Sequence, residues 1–343
     1  MPKQIAVLPC DGAGKEVVPE AIKVLRAAGA DFEFEEFDVN ADAYLRTGVP
    51  ITDEVWKQVA KADSILFGAV GDQRLNDSTY LAGVLLRLRF ELDLYVNLRP
   101  AKLYDDRLSP LRREDRRQVD LLVVRENTEG LYVGMGGRFK KGTKDEIAVQ
   151  EDVNTHIGVT RIIEHAFQVA RHEVVMVDKS NAMTFAGALW QERWKAVGAA
   201  HPKIKTRHLY VDAASMQLVK DPSQFDVIVT SNLFGDILSD LTAELIGGMG
   251  IAPSANIDPA TGRGLFEPVH GTAPDIAGRG LVNPIGAILS AAMMVRHLGV
   301  PDMADAIEGA VESAIRAREC TRDIGGDLST SQAGDAVVKR LRD

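Results

Sequence analysis

The stretch QIAVLPCDGAGKEVVPEAIKVLRAAG, residues 4–29, reads as one strand, one glycine turn and one helix. Gln4 to Pro9 is a short apolar run that suits a buried strand, and Asp11-Gly12-Ala13-Gly14 makes the turn. Val18, Ile22 and Leu25 then recur at helical spacing until Gly29 stops the helix. The turn does not complete the Gly-x-Gly-x-x-Gly dinucleotide fingerprint, because Val17 stands where the third glycine belongs. On pattern alone it suits a plain strand-to-helix turn as well as a cofactor contact.

The same order returns downstream. Thr52 is placed to cap a helix carrying Val55 and Val59, and Ser64 to Phe67 follows as a strand into Gly68. Strand-like runs recur at Asp120 to Val124, Glu173 to Val177, Thr206 to Val211 and Asp226 to Thr230. Each leads through polar residues or a turn into a helical pattern, which predicts an α/β protein with a layered, largely parallel sheet. Arg138 to Gln150 breaks the order with Gly, Lys and alternating polar and apolar residues. It reads as a hairpin that leaves the body of its domain.

With 343 residues the chain is about twice the size of a typical domain, so two domains or one large α/β unit are expected. Hydrophobic residues are 45% and charged residues 26%, the balance of a soluble globular enzyme. Cys10 and Cys320 are the only cysteines and lie far apart, which points to a reducing compartment. The apolar stretch after Lys3 is too short for a signal peptide and no 18-residue apolar run occurs, so a cytoplasmic protein without membrane contact is expected. A net charge of -9 argues against nucleic-acid binding. Arginines nevertheless gather between Arg87 and Arg125, as an anionic small-molecule site would require. The run Arg112 to Arg117, beside a proline turn, reads as a solvated face.

Two further segments carry chemistry. In LAGVLLRLRFELDLYVNLR, residues 81–99, Leu81, Leu85, Leu88 and Leu92 follow helical spacing and would face a core. Arg89 lies four residues after Leu85 and three after Leu86, so an arginine borders two leucines. Such a cluster can hold a carboxylate beside a branched alkyl group, and an isolated one is also a core helix with a snorkelling arginine. Arg99 and Arg125, near the ends of later elements, could join Arg89 on a substrate with two carboxylates. The segment 232–240 sets Asp236 and Asp240 at i and i+4, two like charges that destabilise a helix unless a cation compensates. With Asp212 at the end of a strand, an oxygen-only site suits Mg²⁺ or Mn²⁺ better than zinc. Taken alone, two aspartates on a helix are more often solvated surface residues.

Six motifs together resemble the β-decarboxylating dehydrogenases, the family of isopropylmalate, isocitrate, homoisocitrate and tartrate/malate dehydrogenases. They are LRFELDLYVNLRP (88–100), VVRENTEGLY (123–132), VDKSN (177–181), SNLFGDILSDL (231–241), LFEPVHGTAPDIAG (265–278) and NPIGAILSAAMM (283–294). The resemblance implies an isopropylmalate dehydrogenase-like two-domain α/β fold that is not a true Rossmann fold. It implies an NAD-binding domain from residues 1–100 and 250–343. Residues 101–249 would form a second domain with metal and substrate residues, the dimer interface and a hairpin arm at about 133–152. A homodimer with shared active sites follows.

Matched residue by residue, the resemblance gives Arg89, Arg99 and Arg125 to the malate core of a 2-hydroxy diacid, with Leu85 and Leu86 at its C3 group. It gives Asp236 and Asp240 to the metal, joined by Asp212 from the partner subunit, which also lies at the substrate. Tyr132 and Lys179 match the acid–base residues, Lys179 again reaching in from the partner. His270, Gly271, Thr272, Ala273 and Asn283 match adenosine-binding positions. Asp275, followed by Ile276, matches the carboxylate that selects NAD and would repel a 2′-phosphate.

The implied reaction is NAD-dependent oxidative decarboxylation, with 3-isopropylmalate as the leading substrate and leucine biosynthesis as the setting. Isocitrate enzymes place Ser and Asn at the positions of Gly83 and Leu85, and one type of homoisocitrate enzyme places Arg at that of Leu86. Gly83, Val84, Leu85 and Leu86 offer no donor to a third carboxylate. Tartrate/D-malate dehydrogenases also carry two leucines, and the wording Lys179-Ser180-Asn181 and Arg125-Glu126-Asn127 resembles theirs. A catalytically silent regulatory subunit would be expected to lose a metal aspartate, Lys179 or Tyr132, and all are present. The first loop departs from the usual Pro-Gly-Asp-Gly-Ile-Gly-Pro-Glu: Cys10 replaces a glycine, Ala13 an isoleucine near the adenine, and Lys15 a proline. Its effect on NAD binding is left open at this level, and the Cys10 thiol is read as buried and inert rather than as a redox switch.

Overall fold

The computed structural model describes residues 2–75 and 79–342. Its strands are β1 (Lys3–Cys10), β2 (Phe32–Glu36), β3 (Ser64–Ala69), β4 (Val96–Lys102), β5 (Asp120–Glu126), β6 (Gly136–Phe139), β7 (Ile147–Gln150), β8 (Glu173–Asp178), β9 (Lys205–Tyr210), β10 (Val227–Thr230), β11 (Pro253–Asp258) and β12 (Arg263–Pro268). Ten of them form one sheet in the order β2-β1-β3-β12-β11-β4-β5-β10-β8-β9. Both flanks are parallel, while β12–β11, β11–β4 and β4–β5 in the middle are antiparallel. The fold is therefore α/β with a largely parallel sheet, and its strand order is not that of the Rossmann fold.

Residues 4–29 fold as the sequence predicts. Ile5 to Cys10 are buried, and the helix Gly14–Ala27 buries Val17, Val18, Ala21, Val24 and Leu25 against the sheet. The helix Ile285–His297 is buried around most of its circumference, as its nearly uninterrupted apolar sequence requires. Thr52 caps the helix Asp53–Val59 by accepting from the Val55 N–H.

Two local readings change. Val211 begins the helix Val211–Lys220, so Asp212 stands in a helical first turn, where a carboxylate is favoured, and not at a strand end. The four-leucine stripe is split because residues Ala82–Leu86 form a π-turn between the helical segments Thr79–Leu81 and Arg87–Glu91. The wider turn inserts a residue into the helical repeat. Leu88 and Leu92 stay in the core, while Leu81 is 39% exposed and faces the cleft described below with the half-buried Leu85.

Strands β6 and β7 pair only with each other and are exposed throughout, so the hairpin does leave the body. Gln150 Nε2 donates to the Leu131 carbonyl at 2.6 Å and ties its base down. Both cysteines are free and buried. No helix among the described residues is long and apolar enough to cross a membrane.

Candidate active site

A cleft of about 590 Å³ opens along the C-terminal ends of β3 and β12 and the middle of the sheet. The register of the antiparallel strands delivers its arginines: Asn97 of β4 pairs with Arg125 of β5, and Arg99 with Val123. Arg89 enters from the helix that carries the π-turn. The cleft thus unites Leu85, Leu86, Arg89, Arg99, Arg125, Tyr132, Asp236, His270 and Gly271, all selected from the sequence.

All three guanidinium groups are buried. Arg125, 1% exposed, donates through Nε and Nη2 to Asn232 Oδ1 at 3.0 and 2.7 Å and through Nη1 to Asp236. Burial, with Arg99 nearby, pulls its pKa down to about 9. Arg99 Nη1 donates to Ser239 Oγ at 2.7 Å and lies 3.3 Å from Asp236 Oδ1 and 3.6 Å from Asp240 Oδ1. Arg89 Nη2 donates to Glu267 Oε1 at 2.7 Å. The Nε atoms of Arg89 and Arg99 are buried without a hydrogen-bond partner among the described residues. Arg89, Arg99 and Arg125 face the carboxylates of Asp236, Asp240 and Glu267, and a bound anion would satisfy the orphaned Nε donors.

Asp236 is the junction of this wall. Burial works to raise its pKa, but Arg125 and Arg99 reverse the effect and hold the carboxyl below its usual range. The Tyr132 hydroxyl donates to Asp236 Oδ2 at 2.9 Å. Burial and the Asp236 charge both raise the Tyr132 phenol, so it stays protonated as a proton donor should. Asp240 lies one turn along the helix Asn232–Ile246 and is raised by burial, with Arg99 opposing.

Lys179 and Asp212 are not in the cleft. Lys179 Nζ donates to Asp212 Oδ1 at 2.7 Å at an exposed position elsewhere on the same chain. Beyond His270 and Gly271, the loop continues through Thr272, Ala273 and the exposed Asp275 to Ile276, which packs on the core. Burial lowers the pKa of His270, whose Nε2 is buried without a hydrogen-bond partner among the described residues. Asn283 is buried and donates to Asp323 Oδ2 at 2.8 Å.

Several residues of the site were not singled out from the sequence. Glu267 links Arg89 to Asn256 Nδ2 at 2.8 Å, and Asn256 Oδ1 accepts from Asn97 Nδ2 and Asn127 Nδ2, both at 3.0 Å. This buried polar chain crosses the central strands and ties the Arg89 side of the cleft to the Arg125 side. The only signal for it was the presence of Asn97, Asn127 and Glu267 within recognised motifs. Asp11, 4% exposed, accepts from Ala41 N, Gly71 N and the Tyr80 hydroxyl and fixes the first loop. Cys10 has φ +58°, the left-handed region that glycine adopts freely, which is why a glycine is the easier choice there. Burial drives its thiol well above the usual range, so it is inert.

Fold and cleft together define an α/β protein whose main cleft is lined by three buried arginines. The chain belongs to the isocitrate/isopropylmalate dehydrogenase family, whose model matches residues 4–337. It is 45% identical to the 3-isopropylmalate dehydrogenase of Thermobifida fusca (98% of this chain, 97% of the relative). Its identity to that of Leifsonia xyli subsp. xyli is 47% (98% of this chain, 97% of the relative). Among solved structures, it resembles the isocitrate dehydrogenase from Methylococcus capsulatus with a TM-score of 0.91 and 37% identity, covering 99% of this chain and 100% of that one.

Proposed function

We propose that this protein oxidises and decarboxylates 3-isopropylmalate to 4-methyl-2-oxopentanoate and CO2 with NAD, a step of leucine biosynthesis in the cytoplasm. Family membership makes it a decarboxylating dehydrogenase. The substrate assignment is carried by Leu85 and Leu86, which line the same cleft as Arg89, Arg99 and Arg125.

Two observations weigh against the alternatives. Gly83 packs against the Pro50 ring with no room for a Cβ, so a serine donor for a third carboxylate has no place there. Asn127 donates to Leu94 O and Asn256 Oδ1 inside the sheet, and Glu126 accepts from Thr128 and Glu129. The Arg-Glu-Asn wording shared with tartrate/D-malate enzymes thus serves the fold beyond Arg125 and does not read the substrate.

Asp236 and Asp240 project from one helix face, and an all-oxygen donor set fits Mg²⁺ or Mn²⁺. Among the described residues of one chain no third His, Cys, Asp or Glu joins them, so Asp212 of the partner subunit would complete the set. Exposed apolar side chains support the homodimer: Phe185 (93%), Met216 (67%) and Ile237 (56%) on the helices of this region, and Phe139 and Ile147 on the hairpin. In this reading residues 1–100 and 250–343 form the NAD-binding domain and 101–249 the second, with β1–β3 and β12 on one side of the central strands and β5, β8, β9 and β10 on the other. The loop His270 to Ile276, with Asn283, holds the adenosine, and the exposed Asp275 suits ribose hydroxyls.

A divalent metal held by Asp236 and Asp240 with Asp212 of the partner subunit would supply polarisation of the C2 oxygen, and NAD would supply the hydride acceptor. Arg89, Arg99 and Arg125 hold the two carboxylates of the malate core, and the leucines exclude water from the C3 group. Lys179 of the partner subunit accepts the C2 hydroxyl proton, directly or through water. Once CO2 has left, Tyr132 delivers a proton to C3. NADH formation from 3-isopropylmalate, NAD and Mg²⁺, abolished by a chelator and restored by added metal, tests this reading. A folded dimer that forms no NADH would contradict it.

A further inference from the structure

We infer that Glu16 is a positioning residue for the cofactor loop, a role that rests on assigning residues 270–276 to the adenosine of NAD. Glu16 lies in the first turn of the helix Gly14–Ala27, 262 residues from the segment it holds. Its Oε1 accepts from Gly278 N at 2.5 Å and its Oε2 from Gly280 N at 2.9 Å. Both glycines have positive φ, +76° and +63°, so the chain turns tightly between them and presents both amides to one carboxylate.

The clamp closes the loop at its far end, while the first loop holds the near end. Ala13 N donates to the Thr272 carbonyl at 2.8 Å, a bond made by backbone atoms and indifferent to the side chain at position 13. Gly280 O in turn accepts from Thr330 N at 2.9 Å. Residues 272 to 280, with Asp275 between, are therefore held at both ends by the segment Ala13–Glu16. Inside the loop, Arg279 Nη1 donates to the Asp275 carbonyl at 3.2 Å.

This arrangement also answers the question raised by the first-loop substitutions. Cys10 and Ala13 replace side chains, but the two contacts to the cofactor loop run through a backbone amide and through Glu16, which is unchanged from the family pattern. A carboxylate with two acceptor oxygens satisfies two amides at once, whereas an amide side chain must turn one donor toward an N–H. Glu16 is not placed to touch the reacting atoms. Its effect on the reaction passes through the loop.

The test compares the holoenzyme with Glu16→Ala and Glu16→Gln, the second preserving shape if the first folds poorly. Amide hydrogen exchange over residues 271–281 is measured together with KM for NAD, KM for 3-isopropylmalate and kcat. The expected result is exchange at Gly278 and Gly280 faster by about tenfold or more, with KM for NAD raised about tenfold in Glu16→Ala. The KM for 3-isopropylmalate and kcat should change less than about twofold, and Glu16→Gln should fall between the two enzymes. Unchanged exchange at both glycines would overturn the clamp itself. Faster exchange with an unchanged KM for NAD would instead overturn the assignment of the loop to adenosine, and the positioning role with it.

Discussion

The Tyr132 hydroxyl donates to Asp236 Oδ2 at 2.9 Å, so one carboxylate contacts the Tyr132 phenol, Arg125 and Arg99 together. Tyr132→Phe removes that donor and little else. Its turnover should fall by roughly 10²–10⁴-fold, the usual contribution of a general acid. The deuterium isotope effect on C2–H cleavage should shrink toward unity as the later half of the reaction becomes limiting. Unchanged turnover would remove Tyr132 from its role.

Leu85 and Leu86 are assigned to the isopropyl group, so polarity there should cost that substrate selectively. Leu85→Asn is expected to lower kcat/KM for 3-isopropylmalate by about 10–200-fold, the range for a mismatched apolar pocket. D-Malate, which lacks the alkyl group, should be affected much less. Equal losses on both substrates would show that position 85 does not read the C3 group.

Lys179 and Asp212 lie outside the cleft of their own chain, 2.7 Å from each other. If they serve the partner's cleft, inactive subunits should complement. Lys179→Met and Tyr132→Phe dimers, mixed under conditions that exchange subunits, should regain activity, because each heterodimer contains one site with both residues intact. Confirmed heterodimers with no activity above the parent variants would place Lys179 outside a shared site.

The fold was largely legible because strand, turn and helix each carry a local signal, as residues 4–29 show. The middle of the sheet was not. In β4 the run VNLRPAK holds an arginine and a proline, and in β11 Asn256 is fully buried, a placement stabilised by bonds to Glu267 on the neighbouring strand and to Asn97 and Asn127, 159 and 129 positions away. The π-turn at Ala82–Leu86 was equally silent, since the leucine spacing fits an ordinary helix. In the site, Arg89, Arg99, Arg125, Tyr132 and Asp236 reached the cleft as their motifs implied, whereas Lys179 and Asp212 lie elsewhere on the chain, and the bonds of Glu16 and Glu267, spanning 262 and 178 positions, have no local signature. The solvated reading of Arg112 to Arg117 holds at the exposed Arg113–Asp115 pair, whereas Arg116 pairs with Asp221 and the half-buried Arg117 donates to the Leu111 carbonyl at 2.9 Å.

His165, 8% exposed on the helix His156–Val169, has no hydrogen-bond partner for either ring nitrogen among the described residues. Burial lowers its pKa to about 4. The neutral ring is compatible with the fold above the unfolded value near 6.5, and stability is lost as pH falls from there through about 4, where the unfolded chain binds the proton first. His165→Leu should therefore gain on the natural protein by about 3 kcal/mol between pH 7 and pH 4 in denaturant unfolding. Parallel pH profiles for the two proteins would contradict the assignment.

The central claim is that this cleft selects an isopropyl group on a malate core. It is tested most directly by kcat/KM with NAD and Mg²⁺ for 3-isopropylmalate, D-malate, tartrate, isocitrate and homoisocitrate. The account predicts 3-isopropylmalate to lead the other four by about tenfold or more. A preference of the same size for any of the others would contradict it.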